Sequence, residues 1–356
     1  MPLDRITAFC ERFGLRAPIL MAPMAGACPP ALAVAVANAG GLGGCGAMLL
    51  SPDEINDWTA TFRAGSNGGF QFNLTIPDPP PVRDLAHEAR VRSFLGEWGP
   101  PVPAEAADVS PRDFAAQCDA ILAARPAAIS SHVGLFAPDF VSRMKQEGVP
   151  WLASVTTVAE ARVAEAAGAD VIVAQGAEAG GHRGAFNAAE AERKLIGLFA
   201  LLPAVVDAVR VPVVATGGIA DARGVAAAVL LGASAVQIGT AFLRCPEAGV
   251  HPAWADALGR AAPEDTVVTR AFSGRAGRSI ATAYTRAMAM PDAPEPAPSP
   301  VQRALTAPMR AAGAKAGDLD RMMAWAGQSA AMARAEPAAE TVQRLWEGAR
   351  AMLGGR

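Results

Sequence analysis

The sequence predicts an α/β protein, a (β/α)8 TIM barrel with a smaller α-rich lid domain. The chain has 356 residues, of which 51% are hydrophobic and 18% charged, so it can fill a core larger than one ordinary domain. About eight short apolar runs lack polar alternation, as parallel strands covered on both faces do. Helical stretches separate most of these runs, which favours a closed barrel, although a doubly wound open sheet has the same local signature.

The strand prediction depends on a repeating unit: an Ala-rich helical stretch, a glycine-containing turn, a short apolar run and another glycine. In each copy the helix ends at a glycine, which can adopt the left-handed conformation of a C-cap. Three copies of this αβ step stand out, at 31–46, 159–176 and 221–240. Further strand candidates lie at 19–21, 70–74, 127–130, 151–154 and 213–215.

Two proline-rich segments interrupt this pattern and suggest the limits of the lid. The first covers 77–81 and precedes a helical region, and the second is PDAPEPAPSP at 291–300. Beyond the eighth strand candidate the parallel pattern stops and amphipathic helices follow. Trp325, in this tail, is expected to be a core residue of an amphipathic segment rather than a cover over the barrel mouth. We predict a barrel formed by residues 1–79 and 121–244, and a lid formed by residues 80–120 and 245–356.

The charge balance argues against a nucleic acid or an anionic lipid as partner. The formal net charge is −3, and the three lysines are far apart in the sequence, so no basic patch is visible. The uncharged segments 17–52 and 224–243 are long enough for a membrane span. Prolines and glycines interrupt the first and polar residues the second, so both are interpreted as buried helix and strand. The N-terminal segment does not resemble a secretory signal, and we expect a soluble, cytoplasmic protein.

The cysteines suggest neither a disulfide framework nor a structural metal. There are five of them, an odd number, and none has CxxC or zinc-site spacing. We therefore predict no metal and a reducing compartment.

Two glycine-containing loops follow the seventh and eighth strand candidates. The seventh ends in ATGGIAD at 215–221 and the eighth in QIGT at 237–240. In a barrel these loops lie side by side at the catalytic face, where backbone amides bind phosphate groups. Gly217 and Gly218 would let the backbone approach an anion, and Asp221 is a candidate N-cap for the next helix. The two loops together predict a phosphorylated cofactor or substrate, although each glycine pair alone is equally compatible with a tight turn.

The segment QGAEAGGHRG at 175–184 follows the sixth buried run and contains the candidate acid-base group. Its glycines remove side chains from the space above it and leave His182 as a titratable group suited to proton transfer near neutral pH. A metal site formed by Glu178 and His182 is disfavoured, because their four-residue spacing needs a helix and the segment is rich in glycine. His182 is the predicted catalytic residue, and Arg183 is expected to be a solvated surface arginine.

Seven segments together resemble the nitronate monooxygenase family, formerly called 2-nitropropane dioxygenases. In chain order they are LMAPMAGA (20–27), QFNLTI (71–76), SSHVGLF (130–136), QGAEAGGHRG (175–184), ATGGIAD (215–221), QIGTAFL (237–243) and TRAFSGRAGR (269–278). The similarity extends from about Ala17 to Arg278, and QGAEAGGH is its most specific part. The resemblance implies an FMN-containing (β/α)8 barrel with a smaller lid domain, in agreement with the pattern of apolar runs.

The resemblance also implies roles for residues at the predicted strand ends. His182 matches the catalytic base of the family, His132 is a weaker candidate for a substrate contact, and Met24 is similar to the residue that packs near the isoalloxazine ring. Contacts to FMN are implied for Asn73, Gln175, Gly180, Gly181, Gly217, Gly218, Gln237, Ile238, Gly239 and Thr240. Of these, Gly218 and the run 237–240 resemble the phosphate cradle.

The activity implied by the resemblance is FMN-dependent oxidation of alkyl nitronates, or of nitroalkanes, by O2 to a carbonyl compound and nitrite. In this hypothesis His182 is the base, and the partners are a small-molecule substrate and O2. An alternative uses the same site, because NADH-dependent flavin reductases, either enoyl reductases or NADH:quinone reductases, share the barrel and the AEAGGH segment. A flavin-binding protein without turnover is disfavoured by the presence of His182. The sequence leaves the physiological substrate and the oligomeric state open.

Overall fold

The structure, a computed structural model, describes residues 2–354 and contains a parallel barrel and a small antiparallel sheet. Numbered along the described chain, the strands are β1 (Ile19–Met21), β2 (Gly43–Gly46), β3 (Phe70–Thr75), β4 (Ala128–His132), β5 (Trp151–Val155), β6 (Val171–Gln175), β7 (Gly181–His182), β8 (Val213–Thr216), β9 (Ala235–Ile238), β10 (Thr266–Thr269) and β11 (Gly277–Ile280). All eight predicted strand positions are therefore occupied by strands of the parallel sheet.

The parallel sheet closes on itself. Its strand order is β1, β9, β8, β6, β5, β4, β3, β2, and the neighbouring strands run parallel. The two end strands meet at a parallel bridge between Leu20 and Leu42. There the Met21 N–H donates to the Leu42 carbonyl at 2.8 Å, and the Leu42 N–H donates to the Ile19 carbonyl at 2.9 Å. The prediction of a (β/α)8 barrel is confirmed, and the open-sheet alternative is excluded.

Helices surround the barrel and build most of the lid. In order they are α1 (Pro2–Phe13), α2 (Pro30–Asn38), α3 (Pro52–Gly65), α4 (Leu85–Gly96), α5 (Phe114–Ala123), α6 (Pro138–Gln146), α7 (Val158–Ala166), α8 (Leu198–Val206), α9 (Ala222–Leu230), α10 (Pro252–Leu258), α11 (Ala283–Ala287), α12 (Val301–Leu305), α13 (Ala307–Ala316) and α14 (Ala338–Met352). Asp221 accepts a hydrogen bond from the Gly224 N–H at 3.0 Å, so the predicted N-cap of α9 is confirmed. Among residues 2–354, no helix has both the length and the apolar character of a membrane span.

Residues alternate along the strands between the barrel interior and the helix layer. In β3, Phe70 and Phe72 pack outward beside Trp58 of α3, while Asn73 points to the interior and lines the pocket described below. At the amino ends of the strands the interior is apolar, and Phe9 of α1 covers it from below. Polar side chains such as Asn73, Gln175 and Gln237 line the carboxyl ends, and Gln71, nearer the start of β3, donates to the Gln237 Oε1 at 3.1 Å. The barrel therefore has an apolar floor and a polar mouth.

Two helices from the segments predicted as lid pack on the barrel wall. α14 buries Val342 and Leu345 in the same apolar cluster as the barrel strands, and it contacts α2 and α9. α5 buries Cys118 and Ile121 in that cluster and packs against α3. The tail of the chain thus returns to the helix layer after crossing the mouth. The division of the chain into barrel and lid segments stays a prediction.

The lid also contains strands that the sequence analysis did not predict. β10 and β11 form an antiparallel hairpin, and β11 pairs in turn with β7, opposite Gly181 and His182. A separate apolar cluster of α4, α11, α12 and α13 supports this hairpin from the lid side, with Phe272 and Tyr284 at its centre. Four-residue strands carry little sequence signal, and the partner strand lies almost a hundred residues earlier, roughly the length of one small domain.

Candidate active site

A pocket lies at the carboxyl ends of the barrel strands, between the mouth and the lid. The structure brings all the predicted site residues to its walls: Met24, Asn73, His132, Gln175, Gly180, Gly181, His182, Gly217, Gly218, Gln237, Ile238, Gly239 and Thr240. They come from six different segments of the chain, and the barrel topology collects them because all parallel strands end at the same face. Their individual roles stay predictions.

The loop that carries His182 is held from two sides. On the lid side, His182 pairs with Gly277 of β11, and the next residue donates its N–H to the Ala276 carbonyl at 2.9 Å. On the barrel side, the Gln175 Nε2 donates to the His182 carbonyl at 3.0 Å, and the Gln175 Oε1 accepts from the Gly184 N–H at 2.8 Å. Both ends of the Gln175 amide therefore hold the loop. The contact between Gln175 and FMN that the resemblance implies stays a prediction.

The His182 ring has a defined hydrogen-bond partner in the lid. Its Nε2 lies 2.8 Å from the Ser273 Oγ, and that hydroxyl lies 3.1 Å from the Arg275 carbonyl. A serine hydroxyl has one hydrogen, and the carbonyl can only accept. When Ser273 donates to the carbonyl, Nε2 must carry the ring proton and donate to Ser273. Nδ1 then keeps its lone pair, and among the described residues it has no hydrogen-bond partner.

Burial keeps both histidines of the pocket neutral. Desolvation, with smaller contributions from the neighbouring His132, Arg303 and Arg275, lowers the pKa of His182 to about 3. Burial likewise lowers the pKa of His132 to about 4, with a contribution from Arg275. Removal from water penalises the charged imidazolium, so both rings remain unprotonated at neutral pH. His182 is thus in the protonation state that can accept a proton.

The two glycine loops form a cradle of backbone amides. Gly217 and Gly218 have φ angles of +115° and +70°, which glycine adopts without the steric cost of a side chain. Among the described residues, no protein acceptor pairs with the N–H groups of Gly218 and Gly239. Such amides at the mouth of a barrel suit a phosphate group, because an anion can satisfy several of them at once. The geometry therefore fits the phosphate group of the cofactor or substrate that the sequence predicts.

A C-terminal segment, residues 325–329, crosses the pocket, and of its residues only Trp325 was considered from the sequence, as a core residue or a cover over the barrel mouth. The Gly327 N–H donates to the Thr240 Oγ1 at 3.0 Å, and the Ser329 hydroxyl donates to the Gly218 carbonyl. A Cβ on Gly180 would lie 2.5 Å from the Gly327 nitrogen, so this glycine is required by the close approach of the segment. The segment ties the glycine loops to the lid. The small size of most residues in this segment is the sequence feature that could have indicated such close packing.

Trp325, at the start of this segment, does not lie in the core as expected. Its ring is half-buried, lines the pocket and lies 5.0 Å from the His182 ring, measured between centroids. The expectation was wrong because the backbone of Trp325 forms an antiparallel bridge with Ser279 of β11, and this pairing positions the indole at the pocket. The hydrophobic periodicity of the tail does not indicate that pairing.

The expectation for Arg183 was also wrong. Its side chain is only 1% exposed, and its guanidinium donates to the Gly176 carbonyl at 2.6 Å. It satisfies backbone carbonyls left unpaired where β6 ends. Glu178 has a similar structural role, because its carboxylate accepts the Leu198 N–H at the start of α8, at 2.8 and 3.0 Å.

The closed parallel barrel, the amide cradle and the neutral histidine at the mouth define the class: a (β/α)8-barrel enzyme. The family model for nitronate monooxygenase matches residues 8–348. The chain is 40% identical over 344 residues to a nitronate monooxygenase of Paraburkholderia phytofirmans, covering 95% of this chain and 93% of the relative. It is 38% identical to one of Pseudomonas aeruginosa, with 95% and 98% covered. The chain belongs to the nitronate monooxygenase family, whose members are oxidoreductases, and membership implies a flavin cofactor.

Two solved structures are similar over nearly the whole chain. A nitroalkane oxidase from Streptomyces ansochromogenes has a TM-score of 0.87 at 35% identity, covering 98% of this chain and 99% of that one. FabK from Thermotoga maritima has a TM-score of 0.75 at 27% identity, with 98% and 97% covered. These comparisons confirm the family and the fold that the sequence motifs predict.

Proposed function

We propose that this protein oxidises alkyl nitronates, and more slowly neutral nitroalkanes, with O2 to a carbonyl compound and nitrite, using FMN as its cofactor. The observation that carries the proposal is the state of His182: a neutral imidazole in the pocket whose Nδ1 has no protein partner among the described residues. Its Nε2 is held by Ser273. The bound FMN supplies the electron acceptor and the site of reaction with O2.

FMN suits the cradle better than a dinucleotide does. The amides of Gly218 and Gly239 can hold one phosphate group, and the 325–329 segment lies directly over the loop that contains Gly218. The sequence has no GxGxxG fingerprint after a strand, which a second nucleotide would often use. The polar mouth, including Asn73, would face the flavin ring and its ribityl chain.

His182 would act as the base towards neutral nitroalkanes. The proton on the carbon next to the nitro group is acidic because the resulting charge moves onto the nitro oxygens. Nδ1 takes that proton, and the positive charge that forms on the imidazole is shared through Nε2 with Ser273. Ser273 is a positioning residue in this step, since it selects the tautomer and orients the ring. A preformed nitronate has already lost this proton.

The first experiment identifies the cofactor and the reductant. The purified protein should release FMN on denaturation. Under anaerobic conditions, a small alkyl nitronate should bleach the flavin absorbance within the turnover time, and readmitted O2 should restore it with release of nitrite. NADH should bleach it slowly or not at all.

Rapid bleaching by NADH with no response to the nitronate would contradict this proposal and support the alternative, an NADH-dependent flavin reductase. Release of FAD on denaturation, or a colourless protein that does not bind added FMN, would contradict the cofactor assignment.

A further inference from the structure

Arg303 of α12 is the one formally charged side chain among the described residues that line the pocket. The remaining lining groups are apolar side chains, neutral polar side chains, two neutral histidines and glycine backbone. No carboxylate is among them. The wall of the pocket therefore carries one positive charge that no other lining side chain neutralises.

The guanidinium of Arg303 also has no partner. Among residues 2–354, it makes neither a hydrogen bond nor an ion pair, although its backbone carbonyl accepts from Arg310 at 2.8 Å. Other arginines near the mouth differ in this respect. Arg275 pairs with Asp78, and Arg278 donates to the Ala177 carbonyl at 2.9 Å. A half-buried cation without an acceptor is costly, because it has lost part of its hydration and gained nothing in return.

The position of Arg303 is set by two neighbouring residues, Gln302 of α12 and Thr306, which directly follows that helix. The Gln302 Nε2 donates to the Ala271 carbonyl at 2.7 Å, and the Thr306 hydroxyl donates to the Phe272 carbonyl at 2.8 Å. These two carbonyls directly precede Ser273, the residue that holds the His182 ring. Arg303 and His182 are thus placed by the same turn, and the charge of Arg303 helps to lower the pKa of His182.

We propose that Arg303 is the anion-binding residue of the substrate pocket and that it selects the ionised nitronate over the neutral nitroalkane. This inference rests on the proposed function. The two nitronate oxygens can accept parallel N–H bonds from a planar guanidinium, as the oxygens of a carboxylate do. A neutral nitro group has the same shape but little of the charge. With its oxygens on Arg303, the substrate presents the adjacent carbon to the region of His182.

The test compares steady-state kinetics on both substrate forms in three variants. Arg303→Met removes the charge and the donors, Arg303→Lys keeps the charge without the fork, and Arg286→Met removes an exposed lid arginine that does not line the pocket. In Arg303→Met, KM for the nitronate should rise roughly tenfold to a hundredfold, the size expected for a lost charge-assisted hydrogen bond. KM for the neutral nitroalkane should change by less than about threefold, because its nitro group carries little charge for Arg303 to bind. KM for the nitronate in Arg303→Lys should lie between the values of the wild type and Arg303→Met. In Arg286→Met both KM values should match those of the wild type.

Binding of nitrate, an unreactive planar anion, provides a readout independent of turnover. Calorimetric titration of the flavin-loaded protein should detect nitrate binding in the wild type and in Arg286→Met, and should lose it in Arg303→Met. If Arg303→Met binds nitrate and nitronate as the wild type does, the inference is overturned while the proposed function stands. Equal rises in KM for both substrate forms, or a fall in kcat with KM unchanged, would also overturn it. If the wild type binds nitrate through Arg303 but does not oxidise nitronates, the proposed function fails and the anion site stands.

Discussion

At the scale of single residues, the pocket combines two groups that burial affects in different ways. His182 becomes a neutral base because desolvation disfavours its charged form. Arg303 keeps its charge, although burial lowers the pKa of its guanidinium as well, because its ordinary pKa is so much higher. A proton acceptor and an anion acceptor can therefore coexist at neutral pH within one pocket.

The residue-scale prediction concerns His182. His182→Asn should retain the flavin and lose roughly 10² to 10⁴ in rate on neutral nitroalkanes, since general-base assistance is typically of that size. The loss on preformed nitronates should be much smaller, because they need no deprotonation. Rapid kinetics on both forms, at equal flavin content, measures this difference. Equal losses would mean that His182 orients the substrate, and the base assignment would have to be abandoned.

At the scale of elements, the site depends on contacts between segments that are distant in sequence. The loop 175–184 is held by β11, and the glycine loop after β8 is held by the segment 325–329. Each of these interactions is between main-chain atoms or short side chains. The segment 325–329 also passes so close to the backbone of Gly180 that no larger residue fits there, independently of any contact with a cofactor.

The element-scale prediction is that Gly180→Ala displaces the segment 325–329. A methyl group there would lie 2.5 Å from the Gly327 nitrogen and 2.6 Å from the Ala326 carbonyl carbon, so the backbone must move. We expect a loss of roughly 1–3 kcal/mol in the free energy of unfolding, as for other overpacked sites. Hydrogen exchange in residues 325–329 should also become faster. The control is Gly96→Ala at the end of α4, where a Cβ meets nothing within 4 Å. Unchanged exchange in Gly180→Ala would contradict this packing.

At the scale of the whole molecule, the buried histidines couple stability to pH. The folded state lowers the pKa values of His182 and His132 to about 3 and about 4, below the value near 6.5 of an unfolded chain. Between these values the unfolded chain binds more protons than the folded one. Acid therefore favours unfolding, and the stabilisation present above about pH 6.5 is lost as the pH falls through that window.

The whole-molecule prediction follows from this coupling. The free energy of unfolding, measured in urea with saturating flavin, should fall between pH 7.5 and pH 5. In His182→Asn the fall should be smaller by on the order of 1 kcal/mol, because one titrating group has been removed. The control is His87→Asn, which replaces a half-buried histidine of α4 that lies outside the pocket. The same pH dependence in all three proteins would show that His182 does not titrate in this range.

Much of the site was predictable because it follows from local sequence. Strands β1 to β6, β8 and β9 lie at the strand positions that the sequence predicts, and their carboxyl ends must share one face once the sheet is parallel. The motif 175–184 and the two glycine loops are contiguous segments. Their residues therefore met in one pocket as the sequence motifs indicated.

The sequence by itself determined the barrel, the position of His182 and the family of the protein, since each depends on patterns within a few neighbouring residues. Only the tertiary structure decided which groups surround that histidine. Ser273 lies in the motif 269–278, Arg303 in α12 and Trp325 in the tail, and they reach the pocket through the β11 pairing and the lid core. Such contacts depend on long-range packing, and local sequence preference does not specify them.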